Sequence, residues 1–215
     1  MKTKHSHEKG FTLVELLLTT VIIGIIGGGL YSLFDAHNRM AAKQEETTLM
    51  QQELLSLMVM MSDELRMCGY TRNVPARENK TFGFAHRPSD NKRSTNATQI
   101  YCTRDLDAGN GTLAVSPENA TQHIAFGINP NNMSGENHYA KSYIGGWHTV
   151  ATNIGALSFT YFDADGDIID DPSANLDAIC SVEINATAVP SIERAGLGIQ
   201  NRTLSTRVFR RNPSR

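Results

Sequence analysis

The sequence predicts an α+β fold, one long N-terminal helix followed by an antiparallel β-sheet laid on it. Three observations carry this reading. An almost uninterrupted apolar run covers residues 11–34. Beyond it, apolar residues recur at three- and four-residue steps as far as Cys68, with no proline before Pro75. Past Gly69 the apolar period changes to two. With 215 residues there is room for one ordinary domain plus an appendage. A hydrophobic share of 40% and a charged share of 20% describe a globular chain rather than a disordered one.

The apolar run is 24 residues long, enough at ~1.5 Å per residue to span a hydrocarbon core of ~30 Å. It carries one acid, Glu15. An ionisable residue in a membrane helix costs roughly 2.5–3.5 kcal/mol at its centre, so one that is kept has a partner and a task. A secretory signal peptide would be cut after the apolar region at a small-residue site. Gly24, Gly27, Gly28 and Gly29 form such a neighbourhood, but no A-x-A pattern occurs there. A simple signal anchor accounts for the run and leaves Glu15 unexplained.

The run G-F-T-L-V-E at positions 10–15, behind a short basic leader, resembles the class III signal of type IV pilins and pseudopilins. The resemblance implies cleavage after Gly10 by a membrane prepilin peptidase and N-methylation of the new terminal residue, Phe11. It implies that Glu15 is an assembly contact, its carboxylate meeting the N-terminal amine of a neighbouring subunit. The physics agrees, because a carboxylate in a low-dielectric helix bundle favours a paired cation. Residues 1–10 are then a removed leader, 11–34 the membrane half of the helix, 35–68 its amphipathic half, and 69–215 a β-rich domain. Four glycines inside the membrane half each cost ~1 kcal/mol relative to alanine. They serve either close helix–helix packing or a segment softened for stretching, and the sequence does not choose.

In the amphipathic half, Met50, Leu54, Leu57, Met58, Met61, Leu65 and Cys68 form one stripe. The methionines at 50, 58, 60, 61 and 67 read as core filler rather than as a metal or promiscuous-binding set. Gly69 suits the position past a helix end. The stretch 61–70, M-S-D-E-L-R-M-C-G-Y, is similar to the helix end of PilW-type minor pilins, with Cys68 where a small residue is common. The run 204–212, L-S-T-R-V-F-R-R-N, looks like the closing strand of that group.

Strand-like runs follow at 81–85, 98–103, 123–128, 156–162, 178–187 and 203–209, separated by polar connections such as 86–97, 129–138 and 188–202. Asp163, Asp165 and Asp167 alternate around Gly166. They make a minor calcium candidate, but the glycine stands fourth rather than sixth and no glutamate closes a twelve-residue loop. Asp-Gly between strands reads first as a turn. The three cysteines, Cys68, Cys102 and Cys180, match no metal spacing. If the domain lies outside the cytoplasm they supply one disulfide and one free thiol. Three pairings exist, and Cys102 with Cys180 is the expected one because both lie in strand-like runs.

Formal net charge is −2, and loss of residues 1–10 leaves 17 basic against 21 acidic residues. No direct nucleic-acid partner is expected on that balance. No nucleophile elbow, zinc helix, P-loop or dinucleotide loop occurs, so the chain reads as a non-enzyme with no cofactor. The resemblance implies a minor pilin of the bacterial inner membrane and then of a type IV pilus, its C-terminal domain periplasmic. Implied partners are other minor and major pilins, the prepilin peptidase, the inner-membrane assembly platform and lipid. Two other readings stay open. One is a J-type minor pseudopilin of a type II secretion system. The other is a membrane-anchored adhesion or DNA-uptake module, for which His86, Arg87, Lys92 and Arg93 form a small basic cluster on a polar loop.

Overall fold

The structure is a computed structural model describing residues 10–71, 82–85, 94–105, 123–128, 139–143 and 146–211. The fold is α+β. Helix α1 spans Leu13–Arg66, followed by β1 (Gln99–Thr103), β2 (His123–Ile128), β3 (Tyr139–Tyr143), β4 (Gly146–Ala151), β5 (Ile154–Phe162), β6 (Ser181–Ala188) and β7 (Arg202–Phe209). The chain divides into two units, Met1–Glu45 and Glu46–Arg215.

Within the first unit, α1 runs through Gly24, Gly27, Gly28 and Gly29 without a break. A Cβ added at any of the four would meet no atom within 4 Å. Their smallness is therefore not required by packing among the described residues. This stretch is long and apolar enough to cross a membrane, and none of its most apolar window is buried.

The second unit is built on the far end of α1. The expected stripe is the buried one: Met50, Leu54, Leu57, Met58, Met61 and Leu65 are each at most 3% exposed. Met60 stays exposed, so not every methionine of that run is core. The helix closes at Gly69, whose φ of +77° places it in the left-handed region where a side chain would strain the backbone. Its N–H donates to the Thr103 carbonyl of β1 at 3.0 Å, so the turn out of the helix hands the chain to the sheet.

Two antiparallel sheets form, in the orders β1-β2-β3-β4 and β5-β6-β7, where the sequence suggested one. Both contribute to a single apolar core: Ile100, Ile124 and Phe126 from the first, Ile154, Leu157, Phe159, Ile184 and Val208 from the second, with the helix stripe. Residues 154, 157, 159 and 161 of β5 are buried while 156 and 158 are exposed, the alternation expected of a half-covered strand. The sequence reading assigns no strand to 139–151, yet β3 and β4 pair there antiparallel, and the sequence places Gly145-Gly146 where β4 begins. A glycine pair between β-prone runs is itself a hairpin signal. Conversely, 82–85 is only a short bridge against β1, at Phe84 and Cys102, with Thr81 outside the described residues. Strand β6 starts at Ser181 rather than 178, because Leu176–Ala178 closes as a 3-10 turn that buries Ile179.

Candidate functional site

The candidate site lies at the N-terminus of α1. Gly10 and Phe11 are exposed and precede the helix. Thr12 is its N-cap: the Thr12 hydroxyl accepts the Glu15 N–H at 3.3 Å. The Glu15 carboxylate in turn accepts both the Thr12 N–H and the Thr12 hydroxyl at 3.1 Å. This is a capping box, the reciprocal pairing of an N-cap Ser/Thr with an acid three residues on. Its signature, Thr12-Leu13-Val14-Glu15, was legible in the sequence. The sequence analysis gives a role to Glu15 and none to Thr12. The box satisfies N–H groups that a helix leaves unpaired at its start, and places a negative charge at the positive end of the helix dipole. It needs only atoms of residues 12–15, and leaves Phe11 outside the helix, as the terminus that cleavage after Gly10 would expose. Residues Met1–Lys9 lie outside the described residues.

Three acids of the second half of α1 serve the domain instead. Glu46, 5% exposed, accepts the Ser191 N–H at 2.7 Å and lies 3.6 Å from the Arg194 guanidinium. It thereby ties the turn Ile192–Leu197 to the helix. Glu53 accepts the Thr152 hydroxyl at 2.9 Å, and Glu64 pairs with Arg104. On the same stretch of helix, Leu49, Leu55, Val59 and Met60 remain exposed, so this half carries apolar residues outside its buried stripe as well.

The expected cysteine pairing is corrected. The disulfide joins Cys68 to Cys102, with a Cα–Cα separation of 5.8 Å, and Cys180 is a free, half-buried thiol. The cause is the helix end: the Gly69 turn runs along β1, so Cys68 meets Cys102 as the chain leaves α1. Lying in a strand-like run was a poor guide, because Cys180 sits just ahead of β6, hydrogen-bonded through its backbone to Phe162 and Arg210.

The aspartate loop is a turn. Asp163 Oδ1 accepts the backbone N–H groups of Asp165, Gly166 and Asp167 at 2.9–3.0 Å, and Gly166 has φ +91°. That carboxylate oxygen is spent on closing the loop, and among the described residues no group of three acids, histidines or cysteines converges to hold a metal. The calcium candidate Asp163, Asp165 and Asp167 therefore becomes an Asx-type turn. The basic cluster His86, Arg87, Lys92 and Arg93 lies outside the described residues.

Comparison with protein families places residues 5–31 in the family model described as "Prokaryotic N-terminal methylation motif". The matched segment contains Gly10, Phe11, Thr12, Glu15 and all four helix glycines. Comparison with curated proteins finds no match. The motif supports a type IV pilin-like or pseudopilin protein and fits an inner-membrane anchor.

Proposed function

We propose that this chain is a minor pilin of a type IV pilus, cut after Gly10, N-methylated on Phe11 and assembled through α1 to prime or cap the filament with other minor pilins. The observation that carries the reading is the methylation motif with Glu15 at the start of an exposed, membrane-length helix. Cleavage would free an amine at Phe11, one residue before the Thr12–Glu15 box. Assembly is then an exchange: Glu15 gives up hydrogen bonds within its own helix for the terminal amine of a neighbour. The bonds given up already have an ionised acceptor; what the exchange adds is a full positive charge beside the carboxylate, an attraction that strengthens in a water-poor bundle.

Three further features support the reading. The helix glycines have space around them that none of the described residues uses, as close approach by a neighbouring helix requires. In the second unit, Leu49, Leu55, Val59 and Met60 are exposed apolar residues of the helix. The Cys68–Cys102 disulfide suits a domain in the oxidising periplasm, and the lysines at 2, 4 and 9 suit a cytoplasmic leader. The similarity of 61–70 and 204–212 to PilW-type minor pilins favours the pilus over a type II secretion pseudopilin.

Glu15→Val tests the mechanism. The variant should be cleaved and methylated normally, read as the mature mass, yet enter filaments far less than wild type. Normal incorporation would sink the amine-pairing step. Deleting the gene, then counting pili and assaying secreted enzymes in parallel, separates pilus from secretion machine. Loss of secretion with intact piliation would overturn the pilus assignment.

A further inference from the structure

The closing strand carries a second surface, independent of the N-terminal motif. β7 pairs with β6 on one side, in an unbroken register from Ser181↔Phe209 to Ala188↔Arg202. Which backbone groups face the other side follows from hydrogen bonds elsewhere in the sheet. The Phe159 N–H donates to the Ala97 carbonyl, and the Tyr161 carbonyl accepts the Ile169 N–H. Both residues of β5 therefore turn their backbone away from β6, and Thr160 between them turns toward its partner Glu183. Glu183 then faces β5, Ile184 faces β7, and Thr206 opposite Ile184 faces β6. The Arg210 N–H, which donates to the Cys180 carbonyl, gives the same parity from the other end. The N–H and C=O groups of Thr203, Ser205, Arg207 and Phe209 thus point away from the sheet.

Among the described residues no backbone group meets Thr203–Phe209 on that side; one step beyond, the Arg211 N–H donates to the Arg66 carbonyl at the end of α1 at 3.3 Å. The outer edges of β1 and β5 do have backbone partners. Residues 83–85 lie on β1, through the Ala85 N–H to Tyr101 and the Thr103 N–H to Gly83, and Ala97 and Ile169 cover β5. Natural sheets guard open edges with proline, lysine or bulges, and β7 has none of these. Its charge is also one-sided: residues 202–211 hold Arg202, Arg207, Arg210 and Arg211 and no acid, in a chain of net charge −2. Arg202, Arg207 and Arg211 are exposed. Arg207 is held in place, its Nε donating to the Ser181 hydroxyl at 2.9 Å and its guanidinium 3.8 Å above the Phe162 ring.

We propose that the outer edge of β7 is a docking site for an extended acidic segment of a partner protein, added as a fourth strand to the second sheet. Backbone pairing with residues 203–209 would supply register. An acid on each face of the added strand would meet Arg202 and Arg207, whose odd spacing puts them on opposite faces. A second copy of β7 fits poorly, since it brings arginines toward arginines.

The test uses the full chain in detergent micelles and a fluorescein-labelled, end-blocked peptide, Thr-Glu-Val-Thr-Val-Thr-Glu, with glutamates at the Arg202–Arg207 spacing. Anisotropy should show saturable binding, weaker by at least about tenfold when both glutamates are lysine. Ser205→Pro removes an outward N–H and spares the inner ladder, so it should cut binding about tenfold with the unfolding midpoint retained. Thr203→Pro serves the same purpose nearer the strand end if Ser205→Pro does not fold. The proposal is overturned by no binding, by equal binding of both peptides, or by full binding to the proline variants. Self-association of the wild-type chain that the proline abolishes would assign the edge to a second copy and overturn it too. Pilus counts are not involved, so failure here leaves the assembly role standing.

Discussion

Replacing Cys68 and Cys102 together by alanine should cost the domain about 3.8 kcal/mol. The bond closes a sequence separation of 34 residues, and the chain-entropy relation for that length gives ~3.8 kcal/mol at 25 °C. Both cysteines are fully buried, so alanine is the right replacement: a serine would add an unsatisfied hydroxyl to the same site. For a unit the size of Glu46–Arg215, 1 kcal/mol moves the midpoint by about 2–4 °C, so the pair should lower it by roughly 8–15 °C. The assay is thermal unfolding of the full chain in micelles, followed by circular dichroism without reductant. Wild type under reductant should approach the double variant, and Cys180→Ser should melt as wild type does. Alkylation before reduction should label Cys180 alone in denatured protein. If Cys180→Ser lowered the midpoint as far as the double variant, or if peptide mapping joined residues 102 and 180, the helix-end argument would be wrong.

Two further changes probe the domain itself. Glu46→Ala leaves the Ser191 N–H without its acceptor and Arg194 without its acid. It should cost about 2–3 kcal/mol in denaturant titration, whereas a midpoint unchanged within error would mean that water replaces the carboxylate. Tyr161 is the pH probe. Burial raises its phenol well above the usual value of 10.0, and its hydroxyl donates to the Asn96 and Gln99 carbonyls. In the unfolded chain the phenol loses its proton first, so this stabilisation is present below pH 10 and lost as pH rises above it. Tyr161→Phe should be less stable than wild type at neutral pH yet lose less on going to pH 11. Parallel pH curves for the two proteins would refute this account.

The helix was legible because both of its signals are local. Apolar length announces the first half, and a three-four stripe the second, whose residues 50 to 65 are buried as spaced. Strands β5 and β6 are legible through the alternation of residues 157–161 and 179–184. The hairpin 139–151 is hard to read despite the Gly145-Gly146 pair in its sequence, because lysine, serine and histidine dilute the apolar period. At the candidate site the sequence exposed Gly10, Phe11 and Glu15, and Thr12 was overlooked because its role is reciprocal: a threonine becomes a cap only beside the acid that answers it.

By itself, then, the sequence determined the motif at Gly10–Glu15, the membrane-length helix and the helix-then-strands order, all of which depend on neighbours within a few turns of chain. Tertiary structure alone decided the rest. Cys68 bonds Cys102 because the Gly69 turn runs along β1, and Glu46 is buried because a turn some 145 residues away returns to it. The free edge of β7 exists because loops cover β5 and β1 and none of the described chain covers it. Each of these is a contact between segments far apart in sequence, and residue spacing holds no record of which distant segments fold together.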